Sequence, residues 1–221
     1  DYYEYNSQGN FKSLFDVVAH YAKEYSAERL VLTQCGEYRL QNAMDREWSK
    51  TLGIPVDVYG DDRFIATTKE FADWADGRKQ LRMEYFYREM RRKTGYLMKD
   101  GEPEGGQWNY DADNRKKWDG KTPFPNPPVF ERDDIDREVI KLVEENFDDH
   151  PGSLEDFHWA TTKAQASTAL GFFIQHCLTN FGDFQDAMVR GEKALFHSLL
   201  SPYLNCGLLT AKQVCDAAQR A

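Results

Sequence analysis

The stretch FHSLLSPYLNCGLL, residues 196–209, determines how the second half of the chain folds. Ser201 is a favourable N-cap residue, and Pro202 suits the first position of a helix, where a missing N–H costs nothing. Gly207 suits the left-handed residue that follows a helix end. These residues predict a tight polar turn that opens a short helix.

A second helix start follows this stretch directly. Thr210 and Gln213 have the spacing of a capping box, and Val214, Ala217 and Ala218 supply an apolar face. Two hydroxyls and two helix N-termini close together form a place where backbone N–H groups can hold a phosphate. The alternative is that the side chains merely cap the two helices.

The composition describes a globular chain with an acidic balance. It has 221 residues, 41% of them hydrophobic, a net charge of -9 and a mean hydropathy of -0.73. The absence of an apolar run of ~18 residues and of a signal pattern predicts no membrane span and a cytoplasmic protein. Four cysteines without C-x-x-C spacing are interpreted as reduced thiols.

Basic and acidic residues are unevenly distributed along this acidic chain. The acidic balance argues against nucleic-acid binding by the chain as a whole. Basic residues nevertheless cluster between Arg78 and Lys93, and acidic residues between Asp133 and Asp149. We interpret both stretches as solvated helix faces.

The first part of the chain alternates between helix and strand patterns. The predicted elements are a helix over 11–25, a strand over 29–33, a helix over 37–52, a strand over 55–60 and a helix over 67–74. This alternation favours a partial doubly wound parallel sheet, an α/β fold. Because two or three strands are too few to stand alone, we expect the chain to be a piece of a longer protein, with Tyr2–Tyr5 as the tail of a further strand.

The sequence of the second part of the chain predicts helices and no strands. Prolines between 123 and 128 mark a linker. The predicted helices cover 82–94, 135–147, 162–178, 180–190 and 198–220, and the inward residues of the third are Ala164, Ala169, Leu170, Phe173, Ile174 and Cys177. We therefore predict an α/β part over 1–98, a linker over 99–131 and the start of an all-helical domain over 132–221.

The remaining motifs restrict the chemistry. The five histidines lack metal-ligand spacing, and no G-x-S-x-G, Walker A or G-x-G-x-x-G motif occurs. Cys35–Arg39 follows a predicted strand, where α/β folds bind ligands, although a plain strand-to-helix turn explains it better. The loop over 105–117 is interpreted as an ordered interdomain segment rather than a nucleic-acid contact.

Four segments together resemble a known family. They are GEYRL from Gly36, GGQWNYDADNRKK from Gly105, the segment over 173–188 and the segment over 197–209. The combination is similar to the iron–sulfur bacterial photolyase-related proteins, the prokaryotic (6-4) photolyases of the photolyase/cryptochrome superfamily. The resemblance covers nearly the whole chain, and its second and third segments are specific to this branch.

The resemblance implies an antenna domain, a linker and the beginning of an FAD-binding domain. It implies FAD contacts at His197, where the superfamily usually has Thr, and at Ser198, Leu199, Leu200 and Ser201. Phe184 stands where many members have Tyr, and the implied antenna-chromophore contacts, to a ribityl-lumazine, are Gly36, Glu37 and Tyr38. The 4Fe-4S cluster of this branch has its ligands outside this chain, so no metal ligand is assigned.

The implied activity is light-driven repair of UV-damaged DNA. Excited reduced FAD gives an electron to a pyrimidine photoproduct, and the lesion rearranges. A cryptochrome-type photoreceptor without repair and a cofactor-free interaction module are the alternatives. We expect the isolated chain to be inactive, to bind FAD weakly and to self-associate through exposed apolar surface.

Overall fold

The computed structural model of the chain describes residue 5 and residues 11–221. These residues divide into two units, 1–62 and 63–221. The domain bounds at 1–98, 99–131 and 132–221 stay a prediction. The strand end expected at Tyr2–Tyr5 lies outside the described residues except for Tyr5, which is in a turn.

The first unit contains two parallel strands joined by a helical crossover. Its elements are α1 (Leu14–Glu24), β1 (Leu30–Thr33), α2 (Tyr38–Ala43), a π-helical turn (Met44–Trp48), α3 (Ser49–Leu52) and β2 (Val56–Tyr59). The strands pair in register from Leu30 with Val56 to Thr33 with Tyr59. The crossover matches the α/β prediction, while a larger doubly wound sheet stays a prediction.

The π-helical turn supplies the buried residues of the first unit. Met44 and Trp48 are buried there, and the Trp48 ring lies 5.3 Å from that of Phe15 in α1. The Ser13 side chain caps α1 by accepting from the Asp16 N–H. Aromatic packing thus holds α1 against the crossover.

The second unit is mainly helical. Its elements are α4 (Thr68–Ala75), α5 (Met83–Thr94), β3 (Met98–Lys99), β4 (Glu102–Pro103), a 3₁₀ turn (Glu104–Gly106), α6 (Asp134–Asn146), α7 (Lys163–Phe172), a π-helical turn (Phe173–Cys177), α8 (Leu178–Phe184), α9 (Ser201–Asn205) and α10 (Ala211–Arg220). Capping boxes start α4, α6, α7 and α10, as side-chain oxygens at the N-cap and N3 satisfy free backbone N–H groups.

The core of the second unit forms where α7 and α8 meet the segment before α9. Phe196, Leu200 and Leu209 are its most completely buried large side chains. The Phe196 ring lies 5.5 Å from the rings of both Phe124 and Phe184. Apolar side chains from distant parts of the chain therefore converge on residues 196–209.

Four details differ from the sequence prediction, the first being that the helix expected over 180–190 ends at Phe184. Leu200, not Ser201, is the N-cap of α9, because the Leu204 N–H already bonds to the Leu200 carbonyl; Ser201 is the first helical residue. Ala164 is exposed and Ala166 is fully buried, since the buried stripe of α7 runs through 166, 169 and 170. The β3–β4 hairpin was missed because two-residue strands have no periodicity to detect.

Gly207 adopts the conformation expected for it. Its φ is +73°, and its N–H and that of Leu208 bond back to the carbonyls of Leu204 and Tyr203. Glycine has no Cβ, so it adopts this left-handed conformation without strain.

None of the helices in the described part of the chain combines the length and hydrophobicity that a membrane crossing needs. The four cysteines are free thiols. Among the described residues, no group of three or more His, Cys, Asp or Glu side chains is arranged to hold a metal ion.

We predict that Phe196→Ala lowers the free energy of unfolding by about 3–5 kcal/mol, because it leaves a cavity among packed aromatic rings. Urea unfolding followed by circular dichroism measures this. The matched control is Met188→Ala, since Met188 is 94% exposed and should change stability by less than about 0.5 kcal/mol. Equal effects of the two substitutions would contradict the assigned core.

A second prediction concerns the hydrogen bond between Tyr96, which precedes β3, and Asp216 in α10. The Tyr96 hydroxyl donates to Asp216 Oδ1 at 2.5 Å, which, with burial, raises the pKa of Tyr96 from 10.0 to about 12. A raised pKa means that this contact stabilises the fold below about pH 10 and is lost as the pH rises through 12.

The difference in tyrosinate absorbance between wild type and Tyr96→Phe should therefore develop near pH 12. Asp216→Asn removes the carboxylate charge and should lower the pH at which this difference develops. If the difference develops at the same pH in Asp216→Asn as in the wild-type background, the Asp216 carboxylate does not raise the pKa of Tyr96.

Candidate functional site

The segment between α8 and α9 makes a turn with two leucines in the left-handed conformation. Leu195 has φ +47° and Leu199 has φ +53°. The N–H of His197 donates to the Ala194 carbonyl at 3.0 Å, which closes the first bend. Left-handed backbone is uncommon for leucine, so the surrounding contacts must impose this conformation.

The turn has an apolar side and a polar side. Phe196 and Leu200 are 2% exposed and face the core. His197, Ser198 and Leu199 line a cavity of about 450 Å³ on the other side. The three cavity-lining residues are therefore flanked on both sides by side chains anchored in the core.

The cavity has an aromatic and apolar wall and a few polar groups. Its other lining residues come from the linker, the segment before α7, α7 itself and the segment before the turn: Pro127, Pro128, Ser153, Asp156, Phe157, His158, Trp159, Ala169, Phe172, Lys193, Ala194 and Tyr203. The Trp159 ring meets the Tyr203 ring edge-on at 6.2 Å. A concave apolar site with a few convergent polar groups is typical of ligand binding.

Several polar groups of the turn have no partner in the described part of the chain. The backbone N–H groups of Ser198, Leu199 and Leu200 donate to no acceptor there. The Nε2 atom of His197 is buried and also lacks a hydrogen bond. A buried polar atom without a partner is costly, so His197 Nε2, together with the open N–H groups, fits a site that a bound molecule completes.

The charged residues of the cavity are sparse. Lys193 is the one lysine or arginine that lines it, and Asp156 the one carboxylate, within the described residues. Lys193 forms no ion pair in that part of the chain. A lysine that lines the same cavity as open backbone N–H groups makes the cavity suited to an anionic group.

The other site residues expected for FAD lie outside the cavity lining. Leu200 is buried in the core and Ser201 is exposed at the start of α9. Phe184 ends α8 and packs its ring on Phe196. The structure thus brings His197, Ser198 and Leu199 together at one cavity, with Leu200 and Phe184 supporting the turn from the core side.

The expected antenna contacts lie in the first unit, in the turn after β1. The Glu37 carboxylate caps α2 by accepting from the N–H groups of Arg39 and Leu40, and it pairs with the Arg39 side chain at 2.8 Å. These bonds lower the pKa of Glu37. Tyr38 is 79% exposed, and Gly36 has open space where a side chain would stand. Their contact with a chromophore stays a prediction.

The loop over 105–117 is ordered by contacts within the second unit. Arg91 is buried in α5 and donates to the carbonyls of Tyr96, Leu97 and Trp108. Further along, Lys116 pairs with Asp183 at 2.8 Å, which raises the pKa of Lys116. Tyr110 occupies the space that a side chain on Gly105 would need.

The basic stretch of α5 is largely neutralised by neighbouring carboxylates. Arg88 pairs with Glu84 at 2.8 Å, Arg92 pairs with Glu89 at 3.3 Å, and Lys93 pairs with Glu70. Lys93, together with Thr67, lowers the pKa of Glu70 to about 2. These pairs agree with our interpretation of the stretch as a helix face.

Sequence reasoning missed Lys193 and the cavity wall over 153–159. The wall has no regular secondary structure and no recognisable motif, so neither period nor spacing could place it. Lys193 lies four residues before His197, and its closeness to the turn was the available signal.

Comparison with known proteins identifies the family. The family model for deoxyribodipyrimidine photo-lyase-related proteins matches residues 1–159. The (6-4) photolyase of Agrobacterium fabrum (strain C58 / ATCC 33970) is 49% identical over 198 residues, which are 90% of this chain and 39% of that protein. The chain thus spans about two fifths of the length of this curated relative. These matches confirm the resemblance seen in the sequence, and the chain belongs to the family of deoxyribodipyrimidine photo-lyase-related proteins.

Proposed function

We propose that this chain is part of a light-dependent flavoprotein that repairs UV-induced pyrimidine photoproducts in DNA. The Agrobacterium relative is a (6-4) photolyase, and the family description names a photo-lyase. The observation that carries the proposal to this chain is the cavity at His197, Ser198 and Leu199, with its free backbone N–H groups.

The residues of this cavity fit part of an FAD molecule. The N–H groups of the turn, the Ser198 hydroxyl and Lys193 provide donors and charge for a diphosphate. The aromatic wall of Phe157, Trp159 and Phe172 suits a flat ring system or a ribose that must be shielded from water. His197 Nε2 is an orphaned atom that a bound molecule or a small shift of the ring would satisfy.

In this proposal, the electron-transfer chemistry comes from FAD, whereas the residues of this chain bind and orient the cofactor. When bound, FAD supplies the electron that reverses the photoproduct. The residues of this chain hold the anionic part of the cofactor, keep water from its flat part and fix its orientation through the rigid turn. Within this proposal, a ribityl-lumazine antenna contacts Gly36, Glu37 and Tyr38, and ligands outside this chain hold a 4Fe-4S cluster.

Damaged DNA is the proposed substrate, and a second copy of the isolated chain a further partner. Ile135 and Val139, one turn apart on α6, are 70% and 51% exposed. Apolar residues at this spacing form a continuous stripe, which supports self-association of the isolated chain.

The direct test uses the full-length protein that contains this chain. We expect it to purify with a flavin, visible by absorption and identified as FAD by mass spectrometry of the released cofactor. It should restore oligonucleotides that carry a defined (6-4) photoproduct or cyclobutane dimer under blue light, and leave them unchanged in the dark. Absence of flavin, or repair that proceeds equally in the dark, would refute the proposal.

The role of Lys193 has a more specific test. We predict that Lys193→Gln weakens FAD binding about tenfold, because one charge-assisted hydrogen bond to a phosphate is lost. Binding of riboflavin, which has no phosphate, should stay the same. Titration of the flavin-free full-length protein, followed by flavin fluorescence, measures both affinities.

The matched control for this variant is Lys141→Gln. Lys141 is 75% exposed on α6 and does not line the cavity. It should leave both affinities unchanged. An equal loss of FAD and riboflavin binding in Lys193→Gln would show that the lysine does not act on the phosphates.

A further inference from the structure

The segment over 153–159 forms one wall of the cavity without secondary structure of its own. It supplies Ser153, Asp156, Phe157, His158 and Trp159 to the lining. Only turns and bends occur between the end of α6 and the start of α7. Two bonds within the wall, from the Phe157 N–H to the Leu154 carbonyl and from the Glu155 N–H to the Ser153 hydroxyl, shape it locally, and contacts from other parts of the chain hold it in place.

Arg132, at the end of the linker, makes the main contacts of this kind. Its Nε donates to the Phe157 carbonyl at 2.8 Å, and its Nη2 donates to the carbonyls of Leu154 at 2.8 Å and Glu155. Arg132 is half-buried and does not itself line the cavity. A planar guanidinium that binds three carbonyls holds them in one fixed arrangement.

Two further bonds hold the C-terminal end of the same wall. The N–H of Phe130 donates to the His158 carbonyl at 3.2 Å, and the N–H of Ala160 donates to the Tyr203 hydroxyl at 3.3 Å. Tyr203 belongs to α9, which directly follows the turn over residues 195–199. The C-terminal end of the wall is thus tied both to the linker, through Phe130, and to α9, through Tyr203.

We infer that Arg132 is a positioning residue for the cofactor, acting from outside the cavity by holding the 153–159 wall against the turn. This inference rests on the proposed function. Arg132 sets where Phe157 and Trp159 stand, and those rings shield the bound molecule. Without the guanidinium, the carbonyl of the half-buried Phe157 loses its donor and the wall loses its bonds to Arg132, so the wall moves away from the turn.

The test compares variants of the full-length protein by FAD affinity, FAD dissociation rate and thermal unfolding of the flavin-free form. Arg132→Ala should weaken FAD binding at least about tenfold, mainly through faster dissociation. Methylguanidinium, at concentrations too low to unfold the protein, should restore much of the affinity because it can refill the space between the carbonyls. Arg132→Lys should restore little, since an ammonium lacks the planar fork.

The matched control is Arg137→Ala, which removes an exposed arginine whose partner is Asp134 in the same helix. It should show neither weaker FAD binding nor rescue. If Arg132→Ala does not fold, Arg132→Lys is the test variant. FAD binding by Arg132→Lys equal to that of wild type overturns the positioning role alone, whereas a wild-type protein that binds no FAD overturns the proposed function.

Discussion

The burial of Phe196 and Leu200 is the constraint on which the second unit depends. Both side chains are 2% exposed, and Phe196 lies against rings from the linker and from α8. Fully burying such side chains stabilises a fold by about 1.5–3 kcal/mol each. Because these two residues flank the cavity-lining residues on both sides, fixing them in the core also restricts the positions of His197, Ser198 and Leu199.

This coupling explains how a short irregular segment can present residues 197–199 to a cavity in a fixed arrangement. A loop that followed the surface would satisfy its N–H groups with water or with its own turns. Here the flanking side chains are anchored in the core, and within the described residues the N–H groups of residues 198–200 make no intramolecular bonds. Donors held in place before a ligand arrives need little further ordering when it binds.

The sequence predicted the parts of this arrangement that depend on local rules. The capping box at Thr210, the left-handed Gly207 and the strands at 30–33 and 56–59 follow from residue type and spacing, and the structure confirms them. The turn itself was recognised by its resemblance to a family, which the comparisons support. The wall over 153–159 was not predicted, since its position depends on Arg132, twenty or more residues away.

The N-cap of α9 shows how tertiary contacts override a local preference. Ser201 is the better capping residue by type, yet the helix begins with Leu200 as its cap. Leu200 must reach the core, and that requirement sets its backbone. The serine is then left exposed, with no capping bond, one residue inside the helix.

Leu195, one of the two leucines with left-handed backbone, shows how side-chain burial can offset a local backbone cost. Left-handed backbone costs roughly 1–2 kcal/mol at a residue with a side chain, and glycine would avoid that cost. Leu195 is 4% exposed, so burial of its side chain, at about 1.5–3 kcal/mol, offsets the strain. Glycine at Leu195 would relax the backbone but remove this anchor and loosen the turn. Leucine at 195 therefore makes the turn rigid as well as strained, and a rigid turn presents the cavity-lining residues 197–199 in one arrangement.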